Sequence, residues 1–192
     1  MAALNPLRIV HQSGAIYADP TSLASASGYG TCLGYVKDLE FRFNKRNQAI
    51  TAEEWGGKTV DVIDLGTEAI IAGILRGTDP DALGKVFPNT ATGSTSYGRL
   101  VKLSAAGSDR AGASLFASAF KLLFAPDDTD RGEFIVIYKA IPLVDEAAAM
   151  QLRLGAEIGI AVAFWGAPDT TTGTTKAVAQ IGKREAISLI PP

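Results

Sequence analysis

The side chains that most often carry catalysis are scarce in this sequence. His11 is the only histidine and Cys32 the only cysteine among the 192 residues. A Ser-His-Asp or Cys-His site would have to use His11, which lies in the N-terminal segment beside Gln12. A zinc site would have to recruit carboxylates around one histidine and one cysteine. The sequence therefore predicts no catalytic residue, no metal site and no enzymatic activity.

Two short motifs share features with ligand-binding loops but lack the residues that define them. Gly28–Gly34 contains closely spaced glycines, yet the spacing differs from G-x-G-x-x-G and the lysine of a P-loop is missing. The acidic cluster Asp127–Asp130 does not have the spacing of an EF-hand calcium loop. Pro126 before it is typical of an acidic turn between strands. We therefore expect no cofactor.

The composition favours a protein that assembles with other subunits. The formal charge is -2, from 18 basic and 20 acidic residues without long blocks of one sign, so no nucleic-acid-binding surface is expected. Ile158–Ala167, the most apolar segment, is shorter than the roughly 20 residues that span a bilayer. Apolar residues make up 47% of the chain, and apolar area beyond the needs of one core is often buried between subunits. We expect a permanent oligomer that assembles in the cytosol.

Hydrophobic periodicity predicts strands in most of the chain. Leu39, Phe41 and Phe43 alternate with polar residues, which is the pattern of a strand with one buried and one solvent-exposed face. Residues 133–141 are too apolar for an exposed edge strand. The remaining predicted strands are 59–65, 68–75, 150–154, 158–164, 177–181 and 185–189, and Gly66-Thr67 separates the first two.

One helix is marked at both of its ends. Thr78-Asp79-Pro80-Asp81 supplies a capping residue, a proline for the first turn and an acid near the positive end of the helix. Pro88 ends it, so the helix is predicted at about 79–87.

The predicted strands and helix together indicate a single α+β domain, mainly β, over residues 1–192 with long loops. Residues 1–30 form an N-terminal arm and loop, and residues 31–190 form the β-rich core.

Several short segments occur in an order and spacing that are typical of one protein family. They include a Leu-Gly-x-Val-x-Asp strand, a Phe-x-Val-x-Tyr-Lys-Ala-x-Pro strand and a short helix ending in Phe-Pro. In order, these segments are Leu33–Asp38, Ile50–Glu53, Gly57–Ile63, Ala69–Leu75, Pro80–Pro88, Phe134–Pro142 and Ile160–Asp169. Over roughly residues 31–170 the chain resembles the major tail tube proteins of long-tailed bacteriophages, whose fold type VI secretion tubes share.

This resemblance implies a structural virion protein of the phage tail. In that family a curved antiparallel sheet or sandwich-like barrel carries one flanking helix. Six subunits close into a ring, and the rings stack into a hollow tube that conducts double-stranded DNA into the host. The implied partners are further copies of the chain, a tape-measure protein, a tail terminator, and baseplate or tip proteins. Whether a sheath surrounds the tube stays open, and no membrane is involved.

A tube lumen has to let DNA slide, which favours a wall with a small excess of carboxylates. Lysine or arginine contacts to phosphate would add salt-dependent affinity and hold the DNA. We expect the polar faces of the central strands to line the lumen, and Arg42 and Arg153 lie on similar faces. The candidate lumen residues are Glu40, Asp61, Asp64 and Glu68.

Contacts between subunits are expected at aromatic residues and long loops. Trp55 and Trp165 are candidate interface anchors, because tryptophan is enriched at binding hot spots. The loops at residues 22–34 and 89–98 are long enough to act as arms between rings, or else are mobile surface loops.

Three other classes of protein fit parts of the pattern. A tail terminator or a baseplate tube component would form rings of related architecture. A capsid decoration protein would bind preformed capsids and would not form tubes. A small-molecule-binding β-barrel would be monomeric and would contain an apolar cavity.

Overall fold

A computed structural model of the chain describes residues 13–52, 56–77, 80–87, 90–96, 98–103, 114–143, 159–168 and 177–190. The described residues form nine strands and one α-helix. The strands are β1 (Gly14–Ala18), β2 (Thr31–Ala52), β3 (Lys58–Arg76), β4 (Thr90–Thr95), β5 (Gly98–Leu103), β6 (Phe120–Pro126), β7 (Phe134–Leu143), β8 (Gly159–Gly166) and β9 (Ala179–Gly182), and the helix is α1 (Pro80–Val86). Short 3-10 turns occupy Ala26–Gly28, Leu115–Ser118 and Arg184–Ala186.

Six antiparallel strands close into a barrel in the order β6-β1-β2-β3-β8-β7, because β6 pairs with both β1 and β7. The residues of β1, which the sequence analysis assigned to the N-terminal arm, form part of this wall. The interior is filled by apolar side chains, among them the fully buried Phe124, Phe164 and Ile71. Small barrels have just enough room for such a packed core. The expectation of a mainly β, barrel-like fold with one short helix is confirmed.

The longest element is a hairpin formed by β2 and β3. The sequence analysis placed a strand break at Gly66-Thr67, and this was wrong, since β3 runs through both residues. Gly66 instead lies beside a shift in register between Arg46 and Asn47, with a φ of 105°. Glycine adopts that left-handed conformation without strain and is common at β-bulges. The glycine therefore marks a bulge inside one long strand.

The helix lies where it was predicted and covers part of the core. α1 buries Ala82 and Val86, and Leu83 packs beside them. Residues 90–98, by contrast, were predicted as a loop and instead contain β4, which pairs with β5 as a separate two-stranded sheet. Three threonines of β4 account for the difference, because β-branched residues favour extended backbone.

A second apolar cluster lies outside the barrel and is covered by the C-terminal residues 177–190, here called the C-terminal strap. The cluster comprises Tyr29, Leu123, Ala125, Phe134, Val136 and Tyr138. Ile187 and Leu189 of the strap pack against it. Residues 185–189, predicted as a strand, instead contain the end of a 3-10 turn. The strap is held in part by side chains of the barrel: Tyr138 donates to the Ser188 carbonyl at 3.0 Å and Lys121 to the Leu189 carbonyl at 2.6 Å.

We expect Tyr138 to ionise late in an alkaline titration. Burial raises the pKa of Tyr138 from 10.0 to about 12. A raised pKa means that the folded chain favours the neutral phenol, so its contribution to stability is complete below pH 10 and lost as the pH rises through 12. An absorbance titration should show this late step, and Tyr138→Phe should remove it. The exposed Tyr35 is the control: if Tyr35→Phe removes the late step instead, the assignment to Tyr138 is wrong.

Candidate assembly surface

The long hairpin extends beyond the barrel. β8 pairs with β3 only through Ala69–Arg76, so residues 58–68 of β3 pair only with β2 in the described part of the chain. We call residues 44–68 the hairpin arm. At about 3.3 Å per residue, the paired strands between Asn44 and Ala52 project roughly 27 Å.

The hairpin arm contains no buried side chain among those that the structure describes. Its exposed apolar residues include Val62, Ile63 and Ile50, with exposed fractions of 57%, 44% and 38%. An isolated two-stranded ribbon is marginally stable in water, and unpaired strand edges are templates for further pairing. Exposed branched apolar side chains on such a ribbon are typical of a segment that another chain covers.

Both sides of the hairpin arm carry apolar groups. Gln48 lies opposite Ile63, and Ile50 lies opposite Asp61. Residues two apart in a strand share a side, so Ile50 and Ile63 lie on the same side of the ribbon. Val62 lies on the other side. The arm therefore offers apolar surface to two neighbours at once.

The candidate lumen carboxylates all belong to the long hairpin. Glu40 and Glu68 lie on the same face, since the register between them is regular, whereas Asp61 lies farther out on the arm. The Asp61 carboxylate accepts a hydrogen bond from the Val62 amide at 2.7 Å. The backbone of Asp64 pairs with Asn47, and its side chain is outside the described part.

Arg42 lies next to Glu40 on that face and binds it in a bidentate pair. Arg42 Nε and an Nη each donate to a Glu40 carboxylate oxygen at 2.8 Å. This hydrogen bond, followed by the attraction of the two charges, raises the pKa of Arg42 above its ordinary value. The pair reduces the net negative charge of the face at Glu40. Arg153 is outside the described residues.

An apolar surface lies on the outside of the barrel across β3, β8 and β7. Trp165 is half-buried there, opposite Ile70 on β3 and Ile141 on β7. Farther along β3, Ile74 is 40% exposed and borders an open depression of about 310 Å³. The depression is lined by Glu40, Ala72, Gly73, Ile74, Ala161, Val162 and Ala163. Residue type alone had made Trp165 a candidate interface anchor, whereas the small residues that line the depression are brought together only by strand pairing.

The other candidate interface residue, Trp55, is outside the described residues. The loop proposed at 22–34 is closed by internal hydrogen bonds, since the Thr21 and Ser22 amides both donate to the Gly28 carbonyl, and Tyr29 at its end packs in the apolar cluster outside the barrel. Residues 31–34 already belong to β2, so Gly28–Gly34 leads into an antiparallel strand. A phosphate-binding loop would instead join a strand to a helix.

The acidic turn between β6 and β7 is closed by internal hydrogen bonds. The Asp128 carboxylate accepts from the Asp130 and Arg131 amides at 3.2 and 3.0 Å. The ammonium group of Lys183 donates to the Arg131 carbonyl and to the Gly132 carbonyl. The described residues contain no group of three or more His, Cys, Asp or Glu that could hold a metal ion.

Comparison with known proteins adds no identification. No protein-family model matches the chain, and no curated protein matches its sequence. Within the described ranges, no helix combines the length and apolarity needed to cross a membrane. The features available for a functional assignment are thus the order of the sequence motifs, the hairpin arm and the apolar outer face of the barrel.

Proposed function

We propose that this chain is the structural subunit of a phage tail tube, in which hexameric rings stack into a hollow conduit for double-stranded DNA. The observation that carries the proposal is the hairpin arm, which extends from a closed barrel and has exposed apolar side chains on both of its sides. A monomeric protein gains nothing from such an arm, whereas an assembling subunit buries it. The order of motifs over residues 31–170 supplies the second line of support.

The arm and the outer barrel face are two different surfaces that suit a head-to-tail contact. Ile50 and Ile63 are branched and apolar, and the depression beside Ile74 is lined largely by small apolar residues. When one copy's arm contacts a second copy's outer face, each subunit keeps a free arm and a free face. Such heterologous contacts produce closed rings or open filaments, depending on the rotation between copies.

The barrel interior favours a structural role over ligand binding. Phe124, Phe134 and Phe164 are each at most 1% exposed, and Phe124 and Phe164 belong to the cluster that fills the barrel. A small-molecule-binding barrel needs an enclosed cavity of a few hundred Å³. The depression of about 310 Å³ instead lies on the outer face of β3 and β8.

The experiment that tests the proposal is negative-stain electron microscopy of the purified full-length chain over a range of concentration and salt. We expect rings with a central pore at low concentration and open-ended tubes at high concentration. A single ring that never stacks would favour a tail terminator instead. Compact monomers under all conditions, also in the presence of preformed tail-tip complexes, would contradict the proposal.

Charge reversal on the hairpin tests the assignment of the lumen. Tubes of Glu68→Lys should retain double-stranded DNA, because each new phosphate contact steepens the logarithmic dependence of binding on salt by about 0.9. Asp61 is left unchanged in this test, because it lies opposite Ile50 on the side of the arm that contacts a neighbouring subunit. The measurement is the amount of DNA that cosediments with tubes as salt is raised. Asp130→Lys, in the exposed turn after β6, is the matched control. If Glu68→Lys and the control retain equal amounts of DNA, Glu68 does not face the lumen.

A further inference from the structure

The C-terminal strap is attached to the barrel as a separate unit. β8 and β9 share one edge of β7: β8 pairs with residues 140–143 and β9 with residues 134–137. The closing pairs of the barrel, β6 with β7 and β7 with β8, do not involve the strap. Removal of the strap would therefore leave all six strands of the barrel paired.

Most of the strap makes few buried contacts. Val178 at its start is buried in the barrel core, but none of residues 179–190 is buried, and β9 is only four residues long. Val178 packs in the core, and its carbonyl accepts from the Tyr138 amide. Beyond Val178 and β9, the strap is held by side-chain hydrogen bonds from Lys121, Tyr138 and Lys183 and by the packing of Ile187 and Leu189. Segments with few buried contacts and exposed hydrogen bonds open at a much lower free energy than the core of the same domain.

The surface under the strap, by contrast, needs to be covered. It consists of the free edge of β7 at residues 134–137 and the apolar cluster around Phe134, Val136 and Tyr138, each at most 3% exposed. An open strand edge beside an apolar face is a template for another strand. The segment that fits both is the strap, whose register on β7 is set by residues 179–182.

We propose that the strap exchanges between copies of this chain, so that the strap of one subunit pairs with β7 of another. Eight residues, 169–176, separate Pro168 from the strap, and at about 3.3 Å each a chain of that length can span roughly 26 Å. Exchange of an identical element needs no new interface chemistry, because every contact of the closed subunit is remade with the partner. Strap exchange would link neighbouring subunits whether or not contacts of the hairpin arm close them into rings.

Cysteine trapping in the full-length chain tests the exchange. Both chains carry Cys32→Ser. One chain also carries Val136→Cys, and the other carries Gln180→Cys together with a tag that makes the two chains distinguishable by size. These residues are cross-strand partners, within the range that a disulfide bridges. Each chain has a single cysteine, so no disulfide can form within a chain, and pairing of one chain's strap with the other's β7 holds the two thiols together and raises the yield of the mixed disulfide. We expect the mixed product to exceed several-fold that of a control pair in which Ala117→Cys, exposed and outside both the arm and the strap, replaces Gln180→Cys.

Lys183→Ala in the Gln180→Cys chain should accelerate formation of the mixed disulfide, because it removes the bonds that tie the strap to the turn after β6. A mixed product at the control level overturns the proposal, and so does a rate that Lys183→Ala leaves unchanged.

Hydrogen exchange on the unmodified chain provides a second test that needs no variant to fold. The amides of β9 should exchange by local opening, far faster than those of Leu122 and Leu123 in β6. Equal protection would mean that the strap leaves only when the whole domain unfolds, which also overturns the proposal. Neither test depends on ring or tube formation, so a failure here is distinguishable from a failure of the proposed function.

Discussion

Phe164→Ala should remove about 3–5 kcal/mol from the free energy of unfolding, a large part of the roughly 5–15 kcal/mol that a domain possesses. Phe164 is fully buried and lies where three strands of the barrel meet, opposite Ile71 of β3 and Pro142 of β7. Its ring also packs edge-to-face on Phe120, with centroids 5.8 Å apart. Truncation removes these contacts and leaves a cavity that the closed wall cannot collapse to fill.

Urea unfolding followed by circular dichroism measures this loss, and the melting temperature should fall by roughly 10 °C. Phe43→Ala is the matched control, because Phe43 is 45% exposed where the hairpin leaves the barrel. We expect that control to cost less than about 1 kcal/mol. Equal losses for the two variants would mean that Phe164 does not lie in the core.

The sequence predicted those elements whose signals are local. Leu39, Phe41 and Phe43 alternate because one face of β2 meets the core, and the two buried members of this set are where periodicity placed them. The helix was predicted from its cap and its terminal prolines, which act within one turn. β7 was correctly identified as too apolar for an exposed edge, and the structure gives the reason: one face packs inside the barrel and the other under the strap.

The remaining features depend on contacts between distant residues. Closure of the barrel requires β6 to pair with both β1 and β7, and no local pattern encodes which strands meet. Glycine is favoured both in turns and at bulges, so the sequence around Gly66 does not distinguish the two. The pairing of the long hairpin decides that Gly66 lies inside β3. The depression beside Ile74 likewise exists only because Ala72 and Ala163 become cross-strand neighbours.

The placement of the candidate lumen residues also depends partly on local alternation and partly on contacts that the sequence does not encode locally. Alternation alone places Glu40 and Glu68 on one face of the hairpin, and the regular register between them agrees with that placement. Asp61 is separated from them by the shift beside Gly66, which breaks the period of two that the sequence argument used. The bidentate pair of Glu40 with Arg42 also could not be foreseen from alternation, since it depends on side-chain geometry.

Ile50→Thr/Ile63→Thr should abolish assembly at concentrations where the unmodified chain forms tubes. Both side chains lie on the same side of the hairpin arm, and threonine keeps the β-branched shape that favours a strand. Loss of their apolar groups from a buried contact should cost about 2 kcal/mol, or roughly thirtyfold in the critical concentration. Sedimentation of polymer as a function of total protein concentration measures this change.

Two further variants show what the arm contacts. Leu115→Thr alters an apolar residue of similar exposure, 42%, outside the arm, and should leave the critical concentration unchanged. Val62→Thr alters the opposite side of the ribbon, so an effect as large as that of the double variant means that the arm inserts between two neighbours. If only the substitutions on the side of Ile50 and Ile63 weaken assembly, the arm lies flat on a single neighbouring subunit. Normal assembly of all arm variants would show that the exposed apolar residues of the arm are not the contact, and the proposed head-to-tail arrangement would then have to be abandoned.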